Sequence, residues 1–209
     1  MQAFMVKRFI KIQIFNVLLI FGSILNAEPD SLIKVSQYLN NFKFLKADFS
    51  QINDDGTTSS GIIFIRRPGK MRFEYFKPDK TLILMSAGAL ALFDPKGDEA
   101  PIIYPITNNP ISLILKEKVD LLNSGIVENY KVDNEKAILT ISDPNTPDRG
   151  SIELIFSGSE PELEQLRIKN ENGSSTSLSL KDIEYPDKIN ATLFSIQLET
   201  QKRQKTKQK

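Results

Sequence analysis

The side chains able to do covalent chemistry in this chain are carboxylates, hydroxyls, lysines and arginines, because it contains neither histidine nor cysteine. That removes the Ser-His-Asp and Cys-His nucleophilic pairs and the nitrogen or sulfur ligands of an ordinary zinc site. Carboxylate chemistry, a Ser-Lys pair or an all-oxygen site for a hard cation survive on composition alone. The acids, however, are scattered over extended stretches and turns. Asp54-Asp55-Gly56 starts like a calcium loop, but the remaining ligands and a closing Glu are missing. It reads as a tight turn in which Gly56 supplies a positive φ. No glycine-rich phosphate loop is present. The sequence therefore predicts a non-enzyme with no catalytic residue, no metal and no cofactor. A net charge of +1 gives no ground for a nucleic-acid partner either.

What remains to be positioned is apolar surface, and the N-terminus says where it is delivered. Lys7, Arg8 and Lys11 precede an apolar run from Ile12 to Leu25, closed by Ala27. That order reads as a secretory signal peptide over residues 1–27, cleaved after Ala27. The run is shorter than the ~20 apolar residues a spanning helix needs. Asn16 and Gly22 interrupt it, while bulky Leu25 leaves a retained anchor as the alternative. A bacterial lipoprotein needs an acylated Cys, so this chain is not one itself. Without disulfides, the remaining residues, roughly 180, must fold on one hydrophobic core, enough for a single domain. Residues 201–209 are basic and carry no apolar side chain. They read as a disordered tail, with attraction to anionic lipid headgroups as the alternative.

The elements follow from periodicity. Leu32, Val35, Leu39 and Phe42 recur at helical spacing after Pro29, with Asp30 or Ser31 available as a cap. Extended stretches are predicted at 44–51, 61–67, 70–76 and 81–93, the last broken at Ala87-Gly88. Pro68-Gly69 and Pro78-Asp79 separate them. A second helix is predicted to start at Pro110 and carry Ile111, Ile114, Leu115 and Val119 on one stripe. Further strands are predicted at 127–132, 137–142, 151–157, 164–170, 176–184 and 192–199. The tight connections make neighbouring strands antiparallel, and about ten strands in one sheet must curl. The fold class is mainly β, with a few short helices. Alternation puts Met71, Phe73 and Tyr75 on one face, Ile63, Ile65 and Arg67 on one face, and Arg66 on the opposite one. Such stripes fit a filled core and a cavity equally well.

These residues resemble a known family, the outer-membrane lipoprotein carrier proteins called LolA. The resemblance rests on Ala47-Asp48-Phe49-Ser50-Gln51, Gly61, the stretch Arg66-Arg67-Pro68-Gly69-Lys70-Met71-Arg72-Phe73-Glu74-Tyr75, Ser86-Ala87-Gly88 and Phe93-Asp94-Pro95, in that order. It implies an incomplete, strongly curved antiparallel β-barrel with a lid of short helices over a hydrophobic cavity, filling a carrier domain from 28 to 200. It also implies a periplasmic carrier, which has reason to work as a monomer although the sequence leaves the oligomeric state open. That carrier would receive acylated lipoproteins from an inner-membrane lipoprotein-releasing ABC transporter and pass them to an outer-membrane acceptor. Carried over by motif, the lid-latching arginine is Arg67. The lipid-binding positions are Ile63, Ile65, Met71, Phe73 and Tyr75 on the sheet, Leu32, Val35 and Leu39 on the first helix, and Ile111 and Ile114 on the lid. Met71 and Phe73 stand where the family usually has Phe and Trp. The Ser86-Ala87-Gly88 turn lacks the usual Asp and the strand after it lacks its Trp, which leaves cavity shape and docking details open. A sensor of lipid or lipoprotein with the same fold and no transport duty is the alternative.

Overall fold

The computed structural model describes residues 27–95, 100–106 and 109–207; the rest of the predicted signal segment lies outside them. Among the described residues the chain forms eleven strands in one antiparallel sheet. A helix, α1 (Ala27–Asn41), leads into β1 (Phe44–Asn53), β2 (Thr58–Arg66), β3 (Lys70–Tyr75), β4 (Leu82–Ser86), β5 (Ala89–Phe93) and β6 (Ile102–Pro105). After a short helix, α2 (Ile111–Ile114), come β7 (Val127–Asp133), β8 (Lys136–Ile141), β9 (Gly150–Ser157), β10 (Glu162–Asn170) and β11 (Ser175–Glu184). A 3₁₀ turn at Ala191–Phe194 and a last helix, α3 (Ile196–Lys207), follow. The order across the sheet is β6-β5-β4-β3-β2-β1-β11-β10-β9-β8-β7. Two meanders therefore meet where β1 pairs with β11, and β6 and β7 are open edges. The sheet curls around its inner face without closing, the incomplete barrel expected from the resemblance.

The tight turns behave as their residues predict. Gly56 and Gly69 take positive φ in the β1–β2 and β2–β3 hairpins. Asp55 accepts bonds from the backbone N–H and hydroxyl of Thr57, so the acidic pair serves the turn. Asp54 reaches across to the backbone N–H and hydroxyl of Ser175 at the start of β11, which ties the two meanders together at that end.

Several expectations are corrected. First, α1 already includes Ala27 and so does not start after a cap at Asp30 or Ser31. Pro29 is accommodated within it, though proline supplies no N–H to a helical bond. Second, β6 was absent from the prediction: its flanking prolines argue against a strand, and only an open edge tolerates them. Third, α2 ends at Ile114 and does not reach Val119. The helical bond from the Val119 N–H to the Leu115 carbonyl is lost because both groups are taken. Leu115 O accepts from the Gly69 N–H at 2.8 Å, and the Val119 N–H donates to Asn40 Oδ1 at 2.8 Å. Fourth, no strand occupies 192–199, and the tail is not without structure, since Gln201–Lys207 belong to α3.

α3 is polar along most of its length, so specific contacts hold it. Arg72, on the outer face of β3 and only 7% exposed, donates to Glu74 and the Leu193 carbonyl and pairs with Glu199 of α3. Glu199 also pairs with Arg203 one turn on, and the Arg203 guanidinium lies 5.0 Å from the Phe93 ring centre. Leu82, Leu84, Ala91 and Phe93 make a small outer cluster on which Ile196 packs.

Candidate functional site

The inner face is assembled by register. Ile63 lies opposite Ala47 and Phe73, Ile65 opposite Leu45 and Met71, and Met85 opposite Met71 and Leu90. On the other side of β1, Phe49 faces Leu180 and Gln51 faces Leu178. Leu178 then faces Leu166, Leu166 faces Leu154, and Leu154 faces Leu139. Directly opposed residues in an antiparallel pair share a face, so one apolar lining runs through both meanders. α1 and the segment 110–126 cover it: Val35, Leu39, Ile111, Leu113, Ile114, Leu115, Val119, Leu121 and Ile126 are all buried in a single cluster with the sheet.

Between the cover and the sheet lies a cavity of about 300 Å³, lined by Gln51, Phe73, Tyr75, Ile83, Met85, Leu90, Asn109, Ile111, Ile168, Asn170, Thr176 and Leu178. Its lining is mostly apolar, with Gln51, Tyr75, Asn109, Asn170 and Thr176 as the residues that carry polar side-chain groups. Gly61 makes the aromatic wall possible. A Cβ there would come within 2.1 Å of the Glu74 carbonyl oxygen and 2.9 Å of the Phe49 ring. The bare backbone lets β3 approach and seats Phe49 edge-on against Phe73 and Tyr75, with ring centres 5.5 and 5.1 Å apart. The Tyr75 hydroxyl donates to Gln51 Oε1 at 2.6 Å. Burial pushes its pKa up to about 12, so it remains a neutral donor.

The Arg67-Pro68-Gly69 turn joins sheet and cover. The Arg67 backbone N–H bonds the Lys43 carbonyl at 2.9 Å. Its buried guanidinium donates to the Leu39 carbonyl near the end of α1 and lies 4.3 Å from the Phe42 ring centre. A cation there also suits the negative end of the helix dipole. Nε of the same guanidinium is buried without a hydrogen-bond partner. Burial lowers the pKa of Arg67 to about 10, which leaves it charged at neutral pH. The tie to the α2 segment is the Gly69–Leu115 backbone bond described above, so one turn holds both pieces of the cover. Arg66 points outward, donating to the Ile189 carbonyl at 3.0 Å.

All ten lipid-binding positions carried over by motif fall in one core cluster, with Leu32 and Tyr75 at its partly buried margin. Phe73, Tyr75 and Ile111 line the cavity. Leu32, Val35, Leu39, Ile63, Ile65, Met71 and Ile114 belong to the core cluster without lining the cavity. Ile83, Met85, Leu90, Ile168 and Leu178 were missed as lining residues. Their strands were predicted, but which face pointed inward depends on pairing with β3 and β1. A second depression, about 490 Å³, lies at the end of α1 among Tyr38, Phe42, Phe44 and Tyr185, where the Tyr38 and Tyr185 hydroxyls are 2.7 Å apart.

Residues 40–197 match the family described as outer membrane lipoprotein carrier protein LolA. The outer-membrane lipoprotein carrier protein of Coxiella burnetii (strain RSA 331 / Henzerling II) is 31% identical over 142 residues, which are 64% of this chain and 61% of that protein. This chain thus spans about three fifths of that relative's length. The protein of the same name from Chromohalobacter salexigens is 27% identical over 182 residues, 82% of this chain and 85% of that one. Among solved structures, a putative outer membrane lipoprotein-sorting protein domain from Vibrio parahaemolyticus superposes with a TM-score of 0.48 at 10% identity, covering 81% of this chain and 97% of that one.

Proposed function

This chain belongs to the outer membrane lipoprotein carrier protein LolA family, and from that premise we propose that it is a periplasmic carrier. It takes up the acyl chains of lipoproteins released from the inner membrane and delivers them to the outer membrane. The observation that carries this reading is the continuous apolar inner face beneath a cover tied down by a few polar contacts. In this reading residues 1–27 direct export and are removed, an inner-membrane ABC transporter loads the protein, and an outer-membrane acceptor unloads it. The carrier works as a monomer.

The energetics favour such a design. Each buried methylene contributes ~0.8 kcal/mol, so a cargo with several acyl chains does not leave a bilayer unaided. The carrier must offer apolar surface of similar value, yet not much more, or release stalls. In the closed state Val35, Leu39, Ile111 and Ile114 fill the inner face in place of cargo. Entry of an acyl chain displaces them, breaking the bonds at Leu39 O and Leu115 O. Release lets Arg67 and Gly69 recover those partners. The cover's own packing therefore competes with the cargo and keeps the two states close in energy.

Native mass spectrometry on the protein purified gently from an envelope fraction tests this, followed by mixing the loaded form with acceptor vesicles. The expected result is one acylated peptide per protein, lost on transfer. An empty protein that takes up no acylated peptide would end the proposal. A protein that binds acylated peptide without passing it on would mark the sensor instead.

A further inference from the structure

Burial on the inner face fades in one direction. Phe49 is 3% exposed and Phe73 9%; Ile83, Leu90 and Leu92 are half-buried; Ile102 and Tyr104 on β6 are 54% and 49% exposed. The last two belong to the same lining, because Tyr104 lies opposite Leu90, which walls the cavity, and Ile102 lies opposite Leu92. Contiguous exposed apolar surface can mark a ligand-binding groove, whereas scattered apolar residues need no such role.

The β6 edge itself is closed to another strand. The Ile106 N–H bonds the Gly88 carbonyl at 3.0 Å, so the N–H groups of Tyr104 and Ile102 point the same way, towards β5. The outward positions are then 101, 103 and 105, and two of them, Pro101 and Pro105, have no N–H to offer. Prolines at such positions block strand addition. The apolar side chains are therefore presented beside a single outward backbone donor, that of Ile103, set between two prolines.

We propose that Ile102 and Tyr104 form an open apolar ledge that carries the part of an acyl chain the cavity cannot hold; this rests on the carrier reading above. A cavity of about 300 Å³ sits at the bottom of the range that encloses a single drug-sized molecule. While the cover stays in place, a long saturated chain, and still more a second one, overruns it. The lining leads that overflow past Leu90 and Leu92 onto β6. Hydrocarbon suits the ledge because Ile102 and Tyr104 present apolar area, while the two prolines beside them deny a peptide all but one of the outward main-chain donors.

Two fatty acids test the proposal on the full chain, octanoate as a short probe and stearate as a long one. In the double variant Ile102→Ser/Tyr104→Ser, stearate binding weakens about tenfold while octanoate binding stays within about twofold. The chain has no tryptophan, so Tyr104→Trp and, separately, Ile103→Trp place a single reporter on the inner or the outer face of β6. Dibromostearate quenches the reporter at 104 and not the one at 103. Unchanged stearate affinity in the double variant, or an unquenched reporter at 104 while stearate binds, overturns the ledge and leaves the carrier reading standing. If the unaltered protein binds neither fatty acid, both readings fall. If it self-associates, and the double variant abolishes that association with the reporter at 104 unquenched, the occupant is a second copy and the proposal is wrong.

Discussion

Arg67 is held at a cost. Among the described residues its guanidinium is buried, its Nε has no hydrogen-bond partner, and its carbonyl partner is Leu39 on α1. Burying a charge with incomplete pairing recovers little of what desolvation takes. The bond is therefore better suited to holding a chosen conformation than to stabilising the fold. Arg67→Leu keeps the apolar stem against Phe42 and removes the desolvation penalty together with the bond. The native fold is expected to survive with a stability change of about 1 kcal/mol or less, read from the urea midpoint, while cargo uptake or release slows. Arg66→Leu, on the outer face, serves as the control and leaves transfer unchanged. Equal transfer rates for Arg67→Leu and the unaltered protein would remove the latch from the mechanism.

At the scale of elements, strands were legible and helix ends were not. Turn punctuation and extended patterning located ten of the eleven strands among the described residues, although β2, β4 and β5 carry apolar residues on both faces. The stretch Thr192 to Glu199 alternates as convincingly, yet it folds as a 3₁₀ turn and the start of α3. Phe194 is buried against the outer face rather than in a ladder, and Asn190 caps the turn by accepting from the Thr192 N–H at 3.0 Å. The decisive partner of α3 is Arg72, more than a hundred residues away, which no local pattern reveals. Glu199→Gln leaves Arg72 buried with weaker compensation and is expected to cost about 2 kcal/mol, seen as a lower urea midpoint. Replacing both residues by apolar ones (Arg72→Met with Glu199→Leu) should recover part of that loss. No recovery would mean that packing of α3, not the ion pair, sets its contribution.

At the scale of the whole molecule, the absence of histidine removes the side chain that ordinarily titrates near neutrality. The carboxylates with resolved shifts are all lowered. Hydrogen bonds from Ser175, Thr57 and Asn123 hold the carboxyls of Asp54, Asp55 and Asp120 below 3.8, and the Lys136 ammonium holds Glu164 below 4.5. A lowered folded pKa means that the unfolded chain binds the proton more readily. Such groups contribute stability that is fully present above those ordinary values and is lost as pH falls through the lowered ones. The urea midpoint is therefore expected to stay level from about pH 5.5 to 8 and to fall on further acidification. A step near pH 6.5 would point to a titrating group with no counterpart among these carboxylates.

Read alone, the amino-acid order already yields the available side-chain chemistry, the turns and the family resemblance, since residue types and glycine and proline geometry are local properties. It placed Phe73, Tyr75 and Ile111, which do line the cavity, and Arg67 at the junction of sheet and cover. Which inward residues pack solid and which border open space follows from packing between elements far apart in the chain. Ile63 and Ile83 have the same kind of side chain on the same face, and only the position of the cover makes one core and the other cavity wall. The tertiary structure also decided where that face runs out. Whether Ile102 and Tyr104 point inward, and whether anything lies over them, depends on the pairing of β6 with β5, a contact that exists only once the sheet has formed.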